Sequence, residues 1–115
     1  MRLPVFLVCL PVCALAEGFA LLDGDKPLPR HEVVALTANQ SVTFYEGGLS
    51  QYSVGGAYSY NYAGGGTAFG RFNVGPNGVV CVDFRNGRQR CDRFVRSHGR
   101  IVMITEDGQR FPVRP

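Results

Sequence analysis

Val79–Val95 runs VVCVDFRNGRQRCDRFV. Two apolar-alternating runs flank Arg85-Asn86-Gly87, the chemistry of a tight β-hairpin, and each run carries one cysteine. The length of the turn decides what the cysteines do. A two-residue loop at Asn86-Gly87 would set Cys81 opposite Asp92 and place the two sulfurs on opposite sides of the sheet. A three-residue loop, with a type I turn and Gly87 in the left-handed region, shifts the register by one. Phe84 then faces Arg88, Asp83 faces Gln89, Val82 faces Arg90 and Cys81 faces Cys91. Alternation from a hydrogen-bonded closing pair makes Cys81–Cys91 a non-hydrogen-bonded pair, the kind with the closer Cα spacing. A disulfide there closes a short loop worth roughly 3 kcal/mol in the chain-entropy model. The spacing is not C-x-x-C, so a structural bridge is favoured over a reactive pair. The same register creates a conflict. Val80, Val82 and Phe84 share a face with Arg88, Arg90 and Asp92, and a bulge beyond Cys91 is one way to return Phe94 or Val95 to the core.

From Ser41 onward the apolar period is two. Strands are expected at 41–45, 49–54, 57–62, 67–74, 79–84, 88–96, 100–105 and 109–114, with glycine-bearing turns between them. Connections this short join only antiparallel neighbours. The expected fold is all-β with one short N-terminal helix: a single antiparallel meander of about eight strands, curled into a small barrel or half-barrel to limit its edges. Pro112 has no N–H for a ladder, which favours an edge position for the last strand and incomplete closure. Gly70, inside a strand, marks a bulge or a close backbone contact.

The domain plan is a signal peptide over 1–16, a leading segment with the helix over 17–40, and the β domain over 41–115. Met1-Arg2, the uncharged apolar run Leu3–Leu15 and Ala14-Leu15-Ala16 have the order of a cleaved export signal. The run is shorter than the ~20 residues needed to span a bilayer, and no transmembrane segment is expected in the mature chain. Cleavage would remove Cys9 and Cys13, leaving Cys81 and Cys91 as a pair in an oxidising compartment. Pro29–Leu36 is the one expected helix, with Val33 and Leu36, with or without Val34, as its apolar face and Asn39 placed to end it. The segment before it, including Asp23 and Asp25, is expected to be a solvated loop; without further carboxylates in register it is not a calcium loop.

Mature charge is only slightly positive, eleven Lys/Arg (twelve less Arg2) against nine Asp/Glu, which together with export argues against nucleic acid as a partner. Tyr58, Tyr60 and Tyr62 alternate on one strand face, which is either an aromatic platform for a glycan or flat ligand or, the favoured reading, an ordinary aromatic sheet face with hydroxyls at its rim. Arg88, Arg90, Arg93 and Arg96 form a cationic run that could meet an anionic partner, although such runs on exposed strands are usually solvated. Gly64-Gly65-Gly66-Thr67 lacks the ending of a phosphate loop. His31 and His98 stand apart, with no metal-ligand spacing and no nucleophile beside a base. No cofactor and no metal are expected.

Over Phe69–Arg110 the chain resembles a group of small exported bacterial proteins of unknown function. It shares with them the helix at Glu32–Leu36, the glycine-rich meander, Gly70-Arg71-Phe72, the spaced cysteines Cys81 and Cys91, and the Asp107-Gly108 turn. The resemblance implies a periplasmic or extracellular β domain and carries no activity; the group often has Trp where this chain has Phe72. The expected function is non-catalytic, binding an unknown protein or an anionic envelope component. Periplasmic lysozyme inhibitors, similar in scale and in their disulfide-bearing barrel, are one concrete alternative. A small envelope enzyme using Asp83, Asp92, Glu46 or the histidines is the other.

Overall fold

The computed structural model describes residues 19–115. The leader expected over 1–16, with Cys9 and Cys13, lies outside the described residues. Strand β1 (Asp25–Pro27) is followed by helix α1 (Arg30–Leu36) and eight further strands: β2 (Gln40–Thr43), β3 (Leu49–Tyr52), β4 (Ala57–Asn61), β5 (Thr67–Val74), β6 (Val80–Phe84), β7 (Gln89–Ser97), β8 (Arg100–Thr105) and β9 (Arg110–Pro112). Strands β2 to β9 pair antiparallel in chain order, the meander expected from the short turns. The sheet curls into a half-barrel whose first and last strands meet through one bridge, Phe44 to Val113. Tyr45 N–H donates to the Pro112 carbonyl there at 3.2 Å, and Arg114 N–H donates to Thr43 at 2.7 Å. Residue 112 turns its amide edge toward this seam, so the missing proline N–H costs no bond within the β8–β9 ladder.

One turn builds nearly the whole meander. At Phe44, Ser53, Tyr62, Gly75, Phe84 and Thr105, the residue's N–H donates to the carbonyl four positions on. Its own carbonyl accepts from a glycine three positions on. Those glycines (47, 56, 65, 78, 87 and 108) all have positive φ. This is the three-residue loop with a left-handed closing residue, and a side chain with a Cβ would strain it. Strands β7 and β8 are joined differently, by His98-Gly99, both left-handed, with Ser97 directly opposite Arg100. A two-residue loop needs positive φ at both positions, and there a histidine occupies one of them.

The register of the β6–β7 hairpin is the one the three-residue loop dictates: Cys81 pairs with Cys91, Val82 with Arg90 and Val80 with Asp92. The cysteines form a disulfide with Cα atoms 4.0 Å apart. No bulge follows. Phe94 stays in phase with Arg90 and Asp92 and is buried in the same interior as Val80 and Val82. Strand β7 is the hub of the sheet. Its first half pairs with β6, its second half with β1 on that side, and β8 runs along the other edge from Asp92 to Ser97.

The leading segment is therefore not a solvated loop. Strand β1 pairs with Val95–Ser97, and Phe19 covers a second apolar cluster on the convex face with Val95, Val102 and Ile104. Asp25 has a fully buried side chain and receives both terminal nitrogens of Arg110, at 2.8 and 3.0 Å. Those bonds hold the Asp25 carboxyl well below the usual carboxylate range; burial opposes the effect and the Leu22 N–H assists it. A depressed acid stabilises the fold above its ordinary value and loses that contribution as the pH falls through its folded value. Asp25→Asn should therefore be less stable than wild type at neutral pH, with the gap closing below pH 3.8. Urea unfolding across that range checks it; a gap independent of pH would refute the assignment.

Helix α1 plugs one end of the half-barrel. Val33 is fully buried in the interior cluster and Leu36 packs against it, while Val34 faces outward. At seven residues the helix depends on this docking rather than on its own propensity. Asn39 takes the left-handed conformation just past its end. Three turns share this end: 54–56, 76–78 and 98–99. The other four, at 45–47, 63–65, 85–87 and 106–108, rim the opposite end, which no helix of the described residues covers.

Gly70 sits on the concave face between Tyr58 on β4 and Phe84 on β6. Across its bare backbone the two rings meet edge to face, with centroids 6.0 Å apart. A Cβ at this position would lie 2.4 Å from the Asp83 carbonyl oxygen and 3.0 Å from Phe84 Cα. Both are backbone atoms of the paired strand, which cannot rotate away. Gly70→Ala should cost about 1–3 kcal/mol, as overpacking does. A change below about 0.5 kcal/mol in chemical denaturation, the range of neutral surface substitutions, would show that the strands separate freely.

Candidate functional site

The end of the half-barrel opposite α1 is organised by a charged pair inside the sheet. Arg90 and Asp92 are two residues apart on β7 and both point to the concave face. The Asp92 side chain is 0% exposed and that of Arg90 25%. Arg90 Nε donates to both carboxylate oxygens of Asp92, at 3.0 and 3.1 Å, and Nη2 lies 3.0 Å from Oδ2. Nη2 also donates to the Tyr58 hydroxyl at 2.8 Å, and that oxygen is 2.8 Å from Ser50 Oγ. The guanidinium carbon lies 5.5–5.8 Å from the ring centroids of Tyr58, Tyr60 and Phe84. An arginine fits here because its planar fork can bond a carboxylate and lie over aromatic faces at once.

Burial pushes the Asp92 carboxyl up from its ordinary value, with Arg90 pulling against it. For Arg90 burial works to lower the pKa, but the Asp92 charge and the Tyr58 oxygen outweigh it, so the guanidinium is held protonated. Burial likewise raises Tyr58, and Tyr60 is pushed up to about 12 by burial and by the neighbouring Glu46 charge. None of these tyrosines ionises near neutral pH. The hydroxyl of Tyr52, deeper inside, has no hydrogen-bond partner within 3.5 Å among the described residues.

The exposed edge of Arg90 forms part of two adjoining depressions. One, of about 330 Å³, is lined by Tyr62, Phe84, Asn86, Arg88, Gln89 and Arg90 among others. The other, of about 300 Å³, is lined by Glu46, Tyr60, Tyr62, Arg90, Thr105, Asp107, Gln109 and Phe111, with Met103 at its base. Tyr62 and Arg90 belong to both. The Tyr62 ring is 53% exposed and meets Tyr60 edge to face at 4.9 Å. The uniform hairpins place these groups: Glu46, Asn86 and Asp107 each sit within a turn closed by a left-handed glycine. Gly48 gives Tyr60 and Glu46 room, since an added Cβ would fall 2.0 Å from the Tyr60 hydroxyl.

The residues singled out in the sequence are dispersed by this arrangement. Tyr58 and Tyr60 belong to the interior, and Tyr62 reaches the mouth. Phe69, 48% exposed, lies on the convex face under Arg85. Of the arginines, Arg88 and Arg90 share the first depression. Arg93 is buried on the convex side, donating to the Asn77 carbonyl at 3.0 Å and lying over Phe19. Arg96 pairs with Glu32 of the helix at 3.2 Å. The four do not form one cationic face. Asp83 faces outward and accepts from Gln89, Asp92 is sealed inside, and His98 sits in the turn at the helix end, so these candidates for an enzyme site are not brought together. Among the described residues no group of three or more His, Cys, Asp or Glu is placed to hold a metal ion. None of their helices is long and apolar enough to cross a membrane. The mouth residues Asp107 and Gln109 were not singled out as a site in the sequence. The available signal was the placement of polar residues in or beside the four turns that share one end.

No known protein family matches the chain, no curated protein matches it, and no solved structure matches its fold.

Proposed function

We propose that the protein is an exported, periplasmic or extracellular, non-catalytic binding domain, and that it engages its partner at the end of the half-barrel opposite α1. The observation that carries this reading is the position of Arg90. An arginine is fixed by a buried carboxylate and three aromatic rings, yet a quarter of its side chain faces two depressions. Such a network holds a polar group rigidly at a surface, which lowers the ordering cost of binding. Its cost in desolvation is unnecessary for a core that apolar residues could fill. The leader sequence and the disulfide support export.

The test uses immobilised full chain exposed to cell-envelope extract. Tyr62→Ala/Arg88→Ala alters the mouth and leaves the Arg90–Asp92 pair in place. Phe69→Ala/Arg85→Ala alters the convex face. Retained material should be lost with the first variant and kept with the second. Equal retention by wild type and both variants would overturn the assignment of the mouth.

A further inference from the structure

The two depressions at the mouth differ in charge. In the first, Arg88 is exposed, and its side chain has no hydrogen bond or ion pair with the described residues. Arg90 uses Nε and Nη2 for Asp92 and Tyr58, leaving Nη1 unbonded among the described residues. Among the described residues no carboxylate lines this lobe. In the second, Glu46 and Asp107 come from separate hairpins, and among the described residues Arg90 is the only cation. Glu46 accepts the Gly48 N–H through one oxygen, and Asp107 accepts from the Thr105 hydroxyl and the Gln109 amide. All of these donors are neutral, so none of these bonds pairs either carboxylate with a cation. The exposed Tyr62 ring stands between the lobes, with Tyr60 edge-on behind it.

We propose that this mouth recognises a small zwitterion, its anionic group in the Arg88/Arg90 lobe and its ammonium in the Glu46/Asp107 lobe beside the tyrosine rings. The inference rests on the mouth being the binding surface, and it adds the ligand class. A guanidinium pair is suited to a carboxylate or phosphate, through charge-assisted hydrogen bonds. An ammonium is favoured by carboxylates and by the faces of tyrosine. A ligand with one charge satisfies one lobe and leaves the other facing it with unfavourable or uncompensated charge, so selectivity arises from both lobes together. Lobes of about 330 and 300 Å³ have room for a peptide end or a headgroup, with more of a larger ligand lying outside.

Amide shifts of the ¹⁵N-labelled full chain report binding residue by residue. The probes are alanylalanine and phosphoethanolamine as zwitterions, N-acetylalanine as anion alone and alanine methylamide as cation alone. At least one zwitterion should bind ten-fold or more tightly than either singly charged probe, and the tighter zwitterion identifies a peptide or a headgroup source. Arg88→Ala should weaken the zwitterion at least ten-fold and leave the cation-only probe unchanged. Glu46→Gln should weaken the zwitterion and leave the anion-only probe unchanged. Singly charged probes within three-fold of the zwitterions, or no response to any probe, would overturn the inference. If mouth amides respond to envelope extract but to none of the probes, the ligand class fails and the binding mouth stands. If they respond to neither, both fail.

Discussion

Arg90→Met should lower the unfolding free energy by about 3–5 kcal/mol, the usual cost of removing one partner of a buried ion pair. The reason lies in the asymmetry of the pair. Asp92 is 0% exposed, so without Arg90 its carboxylate has neither a counter-ion nor water. Asp92→Leu leaves an arginine whose side chain is already 25% exposed and can extend toward the mouth, so it should cost less. The double variant should recover most of the loss, because apolar side chains of similar volume satisfy an interior already built from valine and aromatic residues. The pH dependence separates this from simple loss of packing. In Arg90→Met, Asp92 keeps the burial that raises its pKa and loses the charge that lowers it. An acid with a raised folded pKa binds its proton more tightly in the folded state, so the variant should gain stability as the pH falls toward the ordinary value of 3.8. A variant whose deficit is constant with pH would show that Asp92 is not left charged and alone.

Removing the disulfide is the other large effect. Cys81→Ala/Cys91→Ala should cost about 2–5 kcal/mol, a range typical of native bridges in small exported domains. In a protein of this size that is a large share of a total of about 5–15 kcal/mol. The loss should fall on the β6–β7 hairpin and on the convex cluster, because Cys91 and Val79 pack against Val95, Val102 and Ile104 under Phe19. Chemical denaturation gives the magnitude. Intact mass of the wild type with and without reductant should differ by two hydrogens, and no difference would refute the bridge.

The hairpin was legible because its turn leaves few options. Once Gly87 takes the left-handed position and closes a three-residue loop, counting outward sets Cys81 against Cys91. The same glycine recurs at the end of most turns, so the meander followed from local chemistry. Two things did not. Asp25 and Arg110 are far apart in the chain, and nothing around either marks the long-range ion pair that accompanies β1. In the sequence, Arg90 and Asp92 conflict with the alternation of β7, because they fall in phase with Val80, Val82 and Phe84. The phase was right and the charges are inside. What the sequence could not supply was the pairing of each charge with the other, and the aromatic rings that enclose them.

That misfit also marks the candidate site. The half-barrel has one end filled by α1 and one rimmed by four hairpins, with the paired arginine at its edge. Amide shift mapping of the full chain titrated with fractionated cell-envelope extract tests most directly whether this end binds. The largest shifts should fall in the turns that follow Phe44, Tyr62, Phe84 and Thr105, with Arg90 among them. Shifts centred on the convex face around Phe69, Arg71 and Arg85, or on the helix end, with those four turns silent, would contradict it.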